Sequence, residues 1–353
     1  MVHRFGRVAW VLAALGALAL GAGGAAEAAK PFEGEVIRLQ TWGGLDGEMV
    51  QKHIAKPFEE ATGAKVVMEF GWTAASVAKL RAQKNDPQLD VVMFDDIGVV
   101  TAGREGLLEP LDLRKIPGAA DVPAHYVFDG KGIGFFTYQV AMVYNTAALK
   151  EAPRSWRILW EPRFKSKVML PPIDSTSINK VLIMAAVLNG GSQTNIDPGF
   201  AALGRLKPNI HSLEKNTAVI AENLRGGEAV LVPWQPAYLK PYIDKGYPIA
   251  ATIQLEEGIF STPGCVSIVK GHRAKRPALD AFIDYALKPE AQEKIAREFW
   301  WGPTNRKARV AADLRHVVLP AEGGTAKVAP VDLDHFFQVK PVWLDRLNKV
   351  LLQ

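Results

Sequence analysis

Between Val36 and Leu108 the pattern of apolar and polar residues changes period several times. Val36-Ile37-Arg38-Leu39-Gln40 alternates, as a half-buried strand does, and Thr41-Trp42-Gly43-Gly44 interrupts it. From Asp46 to Thr62 the apolar residues Val50, Ile54 and Phe58 fall four apart, which predicts a helix, and Gly63 supplies its stop. Val66 to Phe70 reads as the next strand, and Ala75 to Asn85 as a helix with Val77 and Leu80 on one face. Leu89 to Phe94 is a continuous apolar run that stops at Asp95-Asp96, the pattern of a buried strand. Val99, Leu107 and Leu108 flank a short helix closed by Gly106. This β-α-β-α-β order predicts an α/β fold with a mostly parallel sheet and helices on both faces.

The middle of the chain behaves differently. Gly134 to Tyr144 is an apolar, aromatic run long enough to leave one domain and enter another, and Ser155 to Phe164 is rich in Trp and Pro. Val168-Met169-Leu170 predicts a short strand. The Asp174-Ser175-Thr176-Ser177 stretch then reads as a helix start, with Ile178, Leu182, Ala185 and Ala186 as its apolar face. Ala229 to Val232 predicts another buried strand, ending at Pro233-Trp234. Ile259 to Val269 is a second crossing segment, and Leu279 to Trp301 is helical with a restart at Pro289. Two crossings between two α/β lobes imply a hinge. The expected organisation is a first part of lobe I over 29–137, lobe II over 138–259, a return to lobe I over 260–325, and a C-terminal segment, 326–353, unassigned to either lobe.

The N-terminus changes where the protein is expected to work. His3, Arg4 and Arg7 precede an apolar run from Val8 to Leu20, and a small-residue stretch ends at Ala26-Glu27-Ala28. That order is the signature of a secretory signal peptide over residues 1–28, cleaved after Ala28, and places the mature chain in the periplasm. The run is short of the roughly 20 residues a spanning helix requires. The remainder of the 353 residues suffices for two domains. The net charge is +5, but basic and acidic residues are interspersed with no basic stripe, which argues against nucleic-acid binding. Cys265, the single cysteine, lies in an apolar run and reads as a buried small residue, and no Cys/His zinc spacing exists. Neither metal nor cofactor is expected.

Ligands of open α/β sheets bind at the carboxyl ends of strands. That rule selects Trp42, Asp95 and Asp96, Ser175 and Thr176, and Trp234 with Tyr238. Trp42 either lines a cleft or caps the core. Asp95 and Asp96 could cap the next helix or hold a ligand ammonium or amide. Ser175 and Thr176 open a helix, where hydroxyls and free N–H groups make either an anion site or an ordinary N-cap. Trp234 and Tyr238 could stack on an apolar or cationic ligand or pack beneath the hinge. Trp300 and Trp301, at a helix end, read as packing residues, and His53, His125, His211 and His272 are scattered without ligand spacing.

Several segments carry a family resemblance. Phe58-Glu59-Glu60-Ala61-Thr62-Gly63-Ala64-Lys65-Val66 resembles the segment after the first strand of extracellular solute-binding proteins. Arg104 to Leu108, Ser155-Trp156-Arg157-Ile158-Leu159-Trp160, Glu257-Gly258-Ile259-Phe260 and Gly302-Pro303-Thr304-Asn305 are similar to its later segments, in the same order. The resemblance implies a two-lobed type-II periplasmic binding protein fold with two hinge crossovers. It also implies a monomer that captures a small-molecule ligand in the interlobe cleft and delivers it to the membrane permease of an ABC importer. The polyamine (spermidine/putrescine) branch is the most similar, with iron(III)-binding relatives further off. In the polyamine branch a Trp and an Asp follow the Glu-Gly segment; here Ser261, Thr262 and Pro263 stand there. Ser261 and Thr262 therefore join the candidate ligand-binding residues, and a zwitterion or organic acid is expected over a polyamine. The adjacent tyrosines of the iron binders are missing. No Gly-x-Ser-x-Gly, His-Glu-x-x-His or phosphate-loop motif supports a hydrolase, so the expectation is a binding protein and not an enzyme. Service to a sensor instead of a permease is the remaining alternative.

Overall fold

The computed structural model describes residues 30–322 and 324–353, so the signal-peptide reading of residues 1–28 lies outside the described residues. Among the described residues eleven strands form the sheet: β1 (Val36–Thr41), β2 (Lys65–Phe70), β3 (Val91–Asp95), β4 (Val127–Phe128), β5 (Gly132–Asn145), β6 (Val168–Leu170), β7 (Ile210–Leu213), β8 (Leu231–Trp234), β9 (Ile249–Thr252), β10 (Phe260–Ile268) and β11 (Gly302–Pro303). The helices are α1 (Gly44–Val50), α2 (Lys56–Thr62), α3 (Thr73–Ala82), α4 (Asp96–Arg104), α5 (Thr176–Leu188), α6 (Asp197–Leu206), α7 (Thr217–Gly226), α8 (Pro236–Ile243), α9 (Arg276–Ala286), α10 (Pro289–Phe299) and α11 (Leu333–Leu351).

The strand path runs β2-β1-β3-β10-β5-β8-β6-β7, with β4, β9 and β11 also pairing β5. The parallel trio expected in the first half is there: β1 pairs β2 and β3 in parallel, with Ile37 opposite Val66 and Leu39 opposite Val91. A second parallel set, β6 with β7 and β8, lies at the other end. Antiparallel strands join the two, which departs from a mostly parallel sheet. β10 pairs β3 and β5, and β5 pairs β8 and β9, all antiparallel.

Both crossing segments read from the sequence are thus strands, β5 and β10. All fourteen residues of β5 are buried. Its stretch from Ile133 to Val140 pairs β10, and Ala141 to Tyr144 pairs β8, so one strand belongs to both halves of the sheet. Burial of each large apolar side chain along it contributes on the order of 2–3 kcal/mol. β10 bends at a bulge between Gly264 and Cys265, where a side chain on residue 264 would meet the Phe136 ring at 2.1 Å, so glycine is required. Cys265 is fully buried between β3 and β5 and its thiol is pushed well up by that burial.

Several boundaries moved. α1 and α2 are one helical rod interrupted by a π turn over Gln51–Ala55 and closed by Gly63 in the left-handed conformation, φ 77°. The long C-terminal-half helix splits into α9 and α10 with Pro289 opening the second, and Trp300 ends it in the left-handed conformation. Trp301 is fully buried, stacked on Phe299 at 5.3 Å, as a packing residue. The strand expected over 229–232 is β8, shifted to Leu231–Trp234 and including Pro233. β6 reaches β8 only at Leu231, so the missing N–H of Pro233 costs no ladder bond. The segment left unassigned, 326–353, contains α11. Phe336, Trp343, Leu347 and Leu351 of that helix join the core around α5 and α6, and Arg346 pairs with Asp197 at 2.7 Å.

Candidate functional site

A cleft of about 1250 Å³ opens where the carboxyl ends of β1, β3 and β8 face the start of α5. Six of the residues selected by the strand-end rule line it: Trp42, Asp95, Ser175, Thr176, Trp234 and Tyr238. A small chamber of about 40 Å³ adjoins it and shares Asp95, Tyr138, Thr176 and Phe336 with its lining. Asp96, Ser261 and Thr262 line this chamber with Asp95 and Thr176, so each of the nine candidates borders one of two adjoining cavities.

Each choice left open by the sequence has a structural answer. Trp42 does both jobs: it is buried and packs edge-on against Phe136 at 5.6 Å while lining the cleft. Asp95 holds the N-cap position of α4 by its backbone, but its carboxylate makes no cap. It accepts instead from the Thr73 hydroxyl at 3.0 Å. Asp96 accepts only from the N–H of the adjoining Ile97, at 2.7 Å. Ser175 is an ordinary N-cap: its Oγ accepts from the N–H of Ile178 at 3.2 Å and donates to the carbonyl of Pro172 at 2.8 Å. The anion-site reading therefore loses the Ser175 hydroxyl. The Thr176 hydroxyl and the first-turn N–H groups, which have no acceptor within their helix, remain. Trp234 is buried at the end of β8, lines the cleft, and its Nε1 has no hydrogen-bond partner. Such an orphaned donor costs about 1–3 kcal/mol unless something accepts from it. The Tyr238 hydroxyl donates to Asp46 Oδ2 at 2.8 Å, so its ring is held at the cleft wall by a carboxylate. Ser261 Oγ is buried and unpartnered, and the Thr262 hydroxyl accepts from Lys180.

Three further residues of the candidate site were missed by sequence reasoning. Asp46, in the first turn of α1, is buried at the cleft. Lys180, on α5, is also buried; its Nζ donates to Thr262 Oγ1 and lies 5.1 Å from the centre of the Tyr138 ring. Tyr138, on β5, sits directly opposite Thr262 on β10 and forms the floor. A lone lysine immediately before the apolar run Val181 to Leu188 was the available signal. α11 adds Phe336, Phe337 and Lys340 to the rim, and its Asp334 pairs with Arg104 of α4.

The electrostatics follow from burial. Asp46 is pushed up to about 7, by desolvation first and then by the charge of Asp95, against the opposing bond from Tyr238. Asp96 is also pushed up to about 7, by desolvation and by Asp95. Asp95 is raised by desolvation, with the Thr73 hydroxyl and the Lys180 charge working the other way. Lys180 is brought down to about 8 by desolvation, against the pull of Asp96 and Asp95. Three carboxyls and one ammonium leave the inner cleft with a deficit of positive charge once the carboxyls ionise. The N-terminus of the 13-residue helix α5, with Lys215 and Lys340 also lining the cleft, favours negative charge. Among the described residues no group of three or more His, Cys, Asp or Glu is placed to hold a metal ion.

Comparison with known proteins gives this geometry a context. The family model for bacterial extracellular solute-binding proteins matches residues 53–314. A gamma-aminobutyric acid-binding protein of Pseudomonas aeruginosa is 25% identical over 291 residues, covering 79% of this chain and 80% of the relative. A spermidine/putrescine-binding periplasmic protein of Salmonella typhimurium is 24% identical over 316 residues, covering 84% of each chain. Among solved structures, an ABC transporter protein from Clostridium perfringens superposes with a TM-score of 0.74 at 24% identity, over 89% of this chain and 99% of that one. The fold is that of the type-II periplasmic binding proteins.

Proposed function

Because this chain belongs to the bacterial extracellular solute-binding protein family, the solute-capturing components of ABC transporters, we propose that its solute is a small zwitterion with an ammonium group at one end and a carboxylate or phosphonate at the other. The observation that carries this reading is that one site holds groups for both charges: the carboxyls Asp46, Asp95 and Asp96, and the free start of α5 with Lys215 and Lys340. The carboxylates would take the ammonium, the helix start the anion, and Trp42, Trp234, Tyr138 and Tyr238 the methylenes between them. The orphaned Trp234 Nε1 offers one further donor to the ligand. The relative named for gamma-aminobutyric acid supports a solute of this class.

A polyamine is the second reading. It is favoured by the excess of carboxyls over cations at the inner end and by the relative named for spermidine and putrescine. Isothermal titration separates the two. Stoichiometric binding of gamma-aminobutyrate or 2-aminoethylphosphonate, with spermidine and putrescine weaker, is the expected result. Tight polyamine binding with indifference to both zwitterions would replace the first reading with the second.

The same proposal includes the lobes, 29–137 with 260–325 and 138–259, closing about β5 and β10, and α11 riding with the second lobe. It also includes a monomeric, non-catalytic chain delivered to the periplasm by cleavage after Ala28. A mass corresponding to a start at or near Ala29 checks the cleavage; recovery of intact residues 1–28 in the membrane fraction would refute it.

A further inference from the structure

We infer that Lys180 is a built-in counter-cation that occupies the inner ammonium position of the cleft and thereby limits the solute to one ammonium group, an inference that deepens the zwitterion reading and rests on it for the solute class. The inner chamber has the furniture of an ammonium site. Asp95, Asp96, Thr176, Ser261 and Thr262 supply acceptor oxygens, and Tyr138 supplies an aromatic face. A cation on such a face is attracted by the ring quadrupole. The chain itself provides that cation: Lys180 Nζ lies over the Tyr138 ring at 5.1 Å and donates to Thr262 Oγ1.

The lysine is not there as one half of a closed ion pair. Among the described residues no carboxylate oxygen lies within 4.0 Å of Nζ, although Asp96 and Asp95 both act on it through space. Between the lysine and these carboxyls is the chamber of about 40 Å³, large enough for about one water molecule and too small for a second ligand ammonium. Two of the acceptors are also underused, since Ser261 Oγ has no partner and Asp96 accepts only from the neighbouring backbone. A desolvated charge is costly to keep unless it acts on something. Here it cancels one of the three carboxyls and fills the volume that a diamine's far end would need.

The test removes the side chain in two ways in the full chain, at pH 7, where the Lys180 ammonium is charged. Lys180→Ala takes away charge and volume; Lys180→Met takes away the charge and keeps the volume. Ethylammonium should raise the melting temperature of Lys180→Ala saturably, while leaving wild type and Lys180→Met where sodium chloride leaves them. Both variants should bind putrescine at least roughly tenfold more tightly than wild type does, with the alanine variant gaining more. If Lys180→Ala folds but ethylammonium does nothing beyond its effect on wild type, the inference falls. Should the alanine variant fail to fold, unchanged putrescine affinity in Lys180→Met overturns it equally. Wild-type protein that already prefers putrescine would remove the zwitterion reading, while the ethylammonium response would still decide whether the chamber is an ammonium site.

Discussion

Asp46→Asn should stabilise the empty protein and weaken its hold on a cationic solute. Asp46 is buried, and its carboxyl titrates near 7 instead of its ordinary 3.8. At about 1.4 kcal/mol per pH unit, ionisation of this one group costs the folded state about 4 kcal/mol at pH 8. The direction follows from linkage: a carboxyl whose folded-state pKa is raised contributes stability fully below 3.8 and loses it as pH rises through 7. Asparagine keeps the shape and an oxygen for the Tyr238 hydroxyl, which donates at 2.8 Å, and never ionises. The variant's advantage should therefore be near zero at pH 4, grow between pH 4 and 7, and reach a few kcal/mol at pH 8. For a chain of this size that is a rise of roughly 5 °C in melting temperature. The solute sees the opposite effect: an ammonium about 4 Å from the lost charge forfeits up to about 4 kcal/mol of attraction, so affinity should fall at least tenfold. Thermal melts of both proteins at pH 4.5, 6 and 8, with titration calorimetry at pH 8, measure both. A variant less stable than wild type at pH 8, or one whose gain is the same at pH 4.5 as at pH 8, would refute the reasoning.

The site makes three further predictions. Trp234→Ala should weaken solute binding by roughly tenfold or more through lost contact, and Trp234→Phe should weaken it only where the solute accepts from Nε1; calorimetry on both variants reads the difference. Binding of an ammonium solute near pH 7 should release protons, because Asp46 and Asp96 titrate there, and affinity should fall by roughly 15-fold per engaged carboxyl on going from pH 7 to pH 5.5. Binding heats that do not depend on buffer ionisation enthalpy would count against it. Small-angle scattering should show a smaller radius of gyration with saturating solute than without, and an identical profile would leave the site rigid.

What could be read from the sequence depended on whether a local rule met a local cause. Trp42, Asp95, Ser175 and Trp234 were legible because each follows an apolar run that is a strand, and strand carboxyl ends converge on the cleft. Asp46 was not, because an acidic residue in a helix's first turn is ordinary and needs no ligand to explain it. Lys180 was hidden by the strength of the pattern around it, since the apolar residues of α5 describe a buried helix whether or not one position is charged. The shift of β8 came from reading Pro233 as a stop, when the neighbouring strand ends too early for its missing N–H to matter. Placement of α11 required knowing that its apolar face finds α5 and α6, which no spacing along the chain encodes.

The burial of Cys265 has a practical consequence. Its thiol lies inside the sheet, held far from ionisation, and the chain has no second cysteine. A maleimide dye offered to the folded protein would find nothing to react with. A cysteine placed at the rim, at half-exposed Phe337 for example, would then be the sole labelling position, millimetre-scale assay plates its natural setting, and its fluorescence a running report of solute concentration. The protein is a ready chassis for a reagentless optical sensor, with no native thiol to engineer away.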